Sequence, residues 1–281
     1  METINQHILD QQKQVWNKFS TGWKQWDHFV QNFLKPVGEV IIEQLDIKDY
    51  DQVLDVATGT GEPGMTIASL AKNGKVTGID LSENMLAVAR ENAAALGLKN
   101  YEVQVADVQE LPFESEHFNA ISCRMGFMFF PDMQLAANEM FRVLKTGGKM
   151  STSVFGPADQ NPWISTIIGI IGKHVEIPVT PANSPGMFRC SPKGLMTELM
   201  ANAGFKDVSE QELTGKLNFS SPDQYWEFIY SVTPLVVMLM EKAADEVKNK
   251  VREELFQVLS PQQDSQGIAL AYAVKVITGK K

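Results

Sequence analysis

Val53-Leu54-Asp55-Val56-Ala57-Thr58-Gly59-Thr60-Gly61-Glu62-Pro63-Gly64 is the stretch that decides how this chain folds. An apolar run ends in an acid, and a glycine-rich turn follows. Pro63 then stands where a first helical turn accepts proline. The short apolar run reads as a buried strand, so the segment is a strand–turn–helix unit. Such units bind nucleotides, because glycines allow close backbone approach and a helix start presents free N–H groups. Gly59-x-Gly61-x-x-Gly64 has the dinucleotide spacing, and Asp80 follows at about 20 residues, where a ribose-binding carboxylate is expected.

Outward from this unit, strand and helix signals alternate. Strands are expected at Gln52–Val56, Lys75–Ile79, Tyr101–Ala106, Phe118–Cys123 and Lys149–Val154. Helices are expected at Pro63–Ala71, after Ser82 as N-cap with Gly97 as the stop, and from Asp132 to about Leu144. Short loops between alternating elements imply a parallel sheet covered on both faces, with right-handed crossovers. Two later strands, within Phe205–Leu217 and at Ile268–Ile277, bring the total to seven. The expected fold is therefore α/β, a doubly wound, mostly parallel seven-stranded sheet.

Four segments follow from this pattern: a helical lid over 1–46, an α/β core over 47–155, a cap over 156–204, and C-terminal strands over 205–281 with a helical insertion at about 221–260. In the lid, Trp16, Phe19, Trp23, Trp26 and Val30 recur every three or four residues. They form either a core stripe or an aromatic cover over a ligand. Ser191-Pro192 is expected to cap a short helix ending at Gly204. Ser221-Pro222-Asp223-Gln224 has the capping-box pattern and opens a long helical stretch broken at Thr233-Pro234.

Composition narrows the function classes. The 281 residues carry a net charge of −9, which repels nucleic-acid phosphates and anionic lipid in the absence of a basic patch. Two separated cysteines, Cys123 and Cys190, argue against a disulfide scaffold or zinc ribbon, and no metal site is expected. The polar start is not a signal peptide, and no apolar run reaches the roughly 20 residues of a membrane span. A cytoplasmic protein acting on a small molecule is expected, with a homodimer left open.

Charges in the turn discriminate between cofactors. Asp55 and Glu62 would repel a pyrophosphate at short range, whereas a phosphate-free cofactor bearing an ammonium and a sulfonium tolerates both. Val53–Gly61, Val76–Leu86, Ala106–Phe113, Phe118–Asp132 and Arg142–Gly148 together resemble, in order, the motifs of class I S-adenosylmethionine-dependent methyltransferases. The similarity is greatest to the small-molecule branch containing the quinone-biosynthesis C-methyltransferases. The resemblance covers about residues 50–155 and implies the Rossmann-like methyltransferase fold.

It also implies site roles. Asp55 and the backbone of Ala57, Thr58, Gly59 and Gly61 would face the methionine end of S-adenosylmethionine. Asp80 would take the ribose hydroxyls, Leu81 and Met85 would pack on the adenine, and Asp107 with the Val108 N–H would meet its edge. The backbone at Arg124 and Met125 would line the transfer site, and S-adenosylhomocysteine would be the product. Ala57 departs from the family's usual glycine.

The acceptor is less legible. Trp26, His28, Met128 and Trp163 are candidate pocket walls, and His28 and His174 are the candidate bases. The apolar segments 163–171 and 234–240 suggest an apolar or aromatic acceptor. A nicotinamide-dependent oxidoreductase and a non-catalytic cofactor-binding protein are the alternatives.

Overall fold

The computed structural model describes residues 2–178, 181 and 184–281; residues 179, 180, 182 and 183 of the expected cap lie outside the described residues. In chain order the elements are α1 (Glu2–Gln25), α2 (Asp27–Leu45), β1 (Gln52–Val56), α3 (Gly64–Leu70), β2 (Lys75–Asp80), α4 (Glu83–Ala95), β3 (Tyr101–Val105), β4 (Phe118–Arg124), α5 (Met133–Val143), β5 (Leu144–Phe155) and α6 (Pro162–Ile171). They continue with α7 (Leu195–Asn202), β6 (Lys206–Phe219), α8 (Pro222–Val232), α9 (Pro234–Glu241), α10 (Asp245–Leu259) and β7 (Ile268–Lys280).

The seven strands form one sheet in the order β3-β2-β1-β4-β5-β7-β6. The first five pair in parallel, while β7 runs antiparallel to both β5 and β6. Central strands are apolar on both faces because helices cover both. Val53, Leu54 and Val56 of β1 and Ile121 and Cys123 of β4 are fully buried. Strand order reverses between β1 and β4, and the crevice at the carboxyl ends of such a pair is where open α/β sheets bind ligands. The turn after β1 enters that crevice.

Local signals hold at several ends. The Ser82 hydroxyl accepts from the Met85 N–H at the start of α4, and Asp132 does the same for Leu135 at α5. Gly97, at φ 68°, ends α4 in a conformation that glycine adopts without penalty.

Four expectations are corrected. The helix placed on Ser191-Pro192 begins only at Leu195. Pro192 to Leu195 is a turn instead, with the Leu195 N–H donating to the Pro192 carbonyl and Gly194 left-handed at φ 81°. Strand β5 begins at Leu144 rather than Lys149, because the Thr146-Gly147-Gly148 segment makes an irregularity within the strand, with a register shift opposite Phe118 and Ala120. The long C-terminal helical stretch breaks twice, at Thr233 and again between Glu241 and Asp245. In the capping box, the Ser221 hydroxyl accepts from the Gln224 N–H as expected, but the Gln224 side-chain Oε1 accepts from the N–H of Ser220 rather than Ser221.

Candidate active site

The turn after β1 is held in shape from beneath. Asp55 is fully buried and accepts from the Thr58 hydroxyl at 2.5 Å, the Ser122 hydroxyl at 2.6 Å and the Gly64 N–H at 3.2 Å. Burial pushes its carboxyl up to about 6, opposed by the Ser122 and Thr58 bonds. Asp55 therefore does not face the cavity, contrary to the expected contact with the methionine end. It is the penultimate residue of β1, and its bonds to Thr58, Ser122 and Gly64 hold it beneath the turn. Gly61 is corrected likewise: it does not line the cavity, but folds the turn at φ 115° with its N–H on the Thr58 carbonyl at 2.8 Å. Ala57, Thr58 and Gly59 do line it. Ala57 takes φ 54° and Met125, across from it on the β4 exit, takes φ 63°. L-residues adopt that region at a cost of about 1–2 kcal/mol, which explains the glycine usual at the first position.

Asp80, at the end of β2, forms the next part of the wall. Its Oδ2 accepts from the Gly59 N–H at 3.1 Å and its Oδ1 from the Ser82 N–H at 2.9 Å. Burial raises its carboxyl above the ordinary value, and these backbone donors pull it back. A carboxylate has about four acceptor positions, so each oxygen keeps one for a ligand. That arrangement suits a vicinal diol. Leu81, Met85, Asp107 and Val108 continue the wall. Asp107 accepts from the side-chain amide of Gln109 at both oxygens, 3.2 and 3.1 Å, and from the Gln109 N–H at 2.9 Å.

These residues edge a cavity of about 180 Å³ that opens to solvent. Beyond the acids the walls are apolar: Trp16, Trp23, Phe33, Leu34, Met128, Phe129, Phe155, Trp163 and Phe228 all take part. Met128 and Trp163 are thus where the sequence suggests. Trp26 and His28 are not. The chain breaks at Trp26 between α1 and α2, which turns its ring onto Phe29 and Phe228 and away from the cavity. His28 is exposed on the outer face of α2, next to Asn32. His174 is bonded to Glu254 at 2.6 Å, away from the cavity lining.

The same break splits the aromatic stripe. Trp16, Trp23 and Val30 face the cavity, whereas Phe19 is buried and Trp26 is turned aside. A polar network unannounced by any motif fixes the break to the turn. The Thr60 hydroxyl donates to Asp27 at 2.6 Å, and the Gln31 amide donates to Asp27 and Thr60 at 3.1 and 3.0 Å. The Asn92 amide donates to Asp27 at 3.1 Å and to the Thr60 carbonyl at 3.0 Å. Arg124 donates to Gln31 Oε1 at 2.8 Å. Phe33, Leu34, Phe129, Phe155 and Phe228 also escaped the sequence reading. They are apolar residues with core-like spacing, and nothing local marks a core residue as a cavity wall.

The strand order and the switch point are those of the Rossmann-like methyltransferase fold. Residues 47–167 match the family profile described as Methyltransferase domain. The chain is similar to a demethylmenaquinone methyltransferase of Bacillus cytotoxicus, 40% identical over 107 residues, which are 38% of this chain and 45% of that protein. It thus spans less than half the length of the curated relatives it matches. Among solved structures, YcgJ of Bacillus subtilis superposes with a TM-score of 0.57 at 18% identity, over 87% of this chain and 97% of that one. A phosphoethanolamine N-methyltransferase of Haemonchus contortus, in complex with phosphomonomethylethanolamine and S-adenosylhomocysteine, superposes at 0.53 and 17% identity, over 88% of this chain and 52% of that one. The helices α1, α2, α8 and α9, which supply much of the apolar wall, lie outside the matched 47–167. No helix among the described residues is long and apolar enough to cross a membrane.

Proposed function

We propose that the protein transfers a methyl group from S-adenosylmethionine to a small apolar or aromatic acceptor. The observation that carries this reading is the row of carboxylates, Asp107, Asp80 and Glu62, laid along the strand ends beside an aromatic chamber. Asp80, with one free acceptor position per oxygen, suits the ribose diol. Leu81, Met85 and Val108 suit the adenine, with Asp107 at its edge once the Gln109 amide moves aside. Glu62 argues against a dinucleotide: its carboxylate accepts from the Thr66 N–H at 3.2 Å, at the start of α3 where a pyrophosphate would lie.

When bound, the cofactor supplies a methyl group already activated on a sulfonium. What the chain contributes is position and exclusion of water. Its aromatic walls would hold the acceptor at near-attack distance, about 3–3.5 Å, in line with the departing sulfur. The ionisable side chains lining the cavity among the described residues are Glu62, Asp80, Asp107 and Arg124. No histidine, cysteine, lysine or tyrosine is among them, so the acceptor itself must bring an electron-rich or readily ionised atom. Helices α1 and α2 would serve as lid and α8 and α9 as acceptor cap. The name of the Bacillus relative makes a demethylated quinol the first acceptor to try, and the cytoplasm is the setting this reading favours.

Calorimetry with S-adenosylhomocysteine and with NADH tests the cofactor. Micromolar binding of the former alone is expected; micromolar NADH with no S-adenosylhomocysteine would reverse the choice. Turnover on a panel of quinols and phenols then separates an enzyme from a cofactor-binding protein.

A further inference from the structure

Resting on the methyl-donor reading above, we propose that Thr233 selects and orients the acceptor, by donating a hydrogen bond to an oxygen on its otherwise apolar body. Thr233 stands between α8 and α9, is 2% exposed and lines the cavity. A threonine at a helix start ordinarily turns its hydroxyl onto the first free N–H groups. Ser82, Asp132 and Ser221 use their side chains in that way here. Thr233 is the N-cap of α9, with extended backbone at φ −112° and ψ 95°, yet its hydroxyl caps nothing and has no hydrogen-bond partner among the described residues. Small-molecule sites are mostly apolar, with a few placed polar groups that fix orientation. A hydroxyl on the cavity wall with no protein partner is free to serve as one.

The hydroxyls and charges elsewhere around the cavity are committed or of the wrong sign. Thr58 is spent on Asp55 and Tyr101, and Thr60 on Asp27. Thr233 is the remaining hydroxyl of the lining among the described residues. Glu62, Asp80 and Asp107 offer only acceptors when ionised, and repel an oxygen lone pair. Arg124 is turned to Gln31 and Gly38, which line a separate cleft. The place of Thr233 is fixed by a close helix crossing. Gly22 of α1 lies so near the Ser231 carbonyl of α8 that a Cβ there would meet it at 2.0 Å. Trp23 and Thr233 flank that crossing, and both line the cavity. The Trp23 indole N–H is buried without a partner among the described residues, so this wall carries a second unpaired donor. Phe228, Val232 and Pro234 give the same wall its apolar surface. A carbonyl oxygen, which accepts hydrogen bonds and donates none, matches such a wall and is kept from the acids.

The test is equilibrium dialysis of the protein, saturated with S-adenosylhomocysteine, against 1-tetralone and against tetralin. The two probes share one bicyclic body, and only the first carries a carbonyl oxygen. The unaltered protein is expected to bind tetralone more tightly. Thr233→Val keeps the shape without the hydroxyl, and should weaken tetralone roughly 3- to 12-fold, the range for one neutral hydrogen bond, with tetralin unchanged. Thr233→Ser restores a hydroxyl and should restore tetralone binding, which separates the hydrogen bond from a change of packing. Equal loss of both probes in Thr233→Val, no loss of tetralone, or an unaltered protein that takes neither probe or both equally overturns the assignment. Calorimetry with S-adenosylhomocysteine alone reads the cofactor separately and should give the same affinity in all three proteins. Failure of the unaltered protein to bind it overturns the methyl-donor reading as well, whereas loss of the tetralone preference alone leaves that reading standing.

Discussion

Changing Asp55 to asparagine isolates a single buried charge. The carboxyl is enclosed beneath the turn, and burial lifts it to about 6 from an ordinary value of 3.8. Two units at about 1.4 kcal/mol each give about 3 kcal/mol between the two protonation states. The sign follows from the folded state holding the proton more tightly than the unfolded chain. As pH rises from about 4 to about 6, the unfolded chain loses its proton first. This group's contribution to stability therefore falls across that window and is lowest above it. Asparagine is neutral throughout and can keep the contacts: its oxygen accepts from Thr58 and Gly64, and its amide donates to a rotated Ser122 hydroxyl. Urea unfolding of both proteins at intervals from pH 4 to pH 7 measures the effect. The stability of Asp55→Asn relative to wild type should climb by about 3 kcal/mol over that range. A difference that stays flat, or that falls, would refute the assignment of Asp55 as a buried, internally bonded charge.

Other expectations follow from the same site. Asp80→Ala should weaken S-adenosylhomocysteine by roughly 10- to 150-fold, since hydrogen bonds to charged groups contribute roughly 1.5–3 kcal/mol; unchanged affinity in calorimetry would contradict the diol role. Ala57→Gly should stabilise the fold by about 1 kcal/mol, by relieving a left-handed alanine, and urea midpoints would show it. Gly64→Ala should destabilise by about 1–3 kcal/mol, because a Cβ there would meet Asp55 Oδ2 at 2.7 Å and Tyr101 at 2.8 Å; a neutral result would mean that the turn is looser than described. With a phenol series as acceptors, the rising limb of kcat/KM against pH should track each acceptor's own pKa, because no histidine, lysine, cysteine or tyrosine lines the cavity among the described residues. A limb that stays fixed across the series would point to a protein base.

The sheet and the turn after β1 were legible because their signals are local. Ser82 and Asp132 sit one residue before their helices, and glycines mark where the backbone must turn left-handed. The side from which Asp55 is used was not legible, since a residue near a strand's end can point to the turn's open face or beneath it. Only the placement of Ser122, which is 67 residues away, decides that. The break at Trp26 was hidden for a similar reason. Asp27 gains its partners from Thr60 and Asn92, which are 33 and 65 residues distant, while the apolar spacing through Trp26 reads as one continuous helix. The apolar wall of the cavity is assembled in large part from α1, α2, α6 and α8, and facing a cavity leaves the same apolar pattern as facing a core.

The network joining Asp27 and Gln31 to Thr60 and Arg124 has a thermodynamic consequence. Helix α2 carries Val30, Phe33 and Leu34 into the apolar wall of the cavity, and through Gln31 the same helix holds the turn and Arg124. On the proposed reading, a cofactor that shifts the turn biases the wall that meets the acceptor, and the two binding events share one coupling free energy. Reciprocity then fixes a relation between separate measurements. The factor by which S-adenosylhomocysteine changes the affinity of an acceptor analogue must equal the factor by which that analogue changes the affinity of S-adenosylhomocysteine. Cutting the network at Gln31 should drive both factors toward one together.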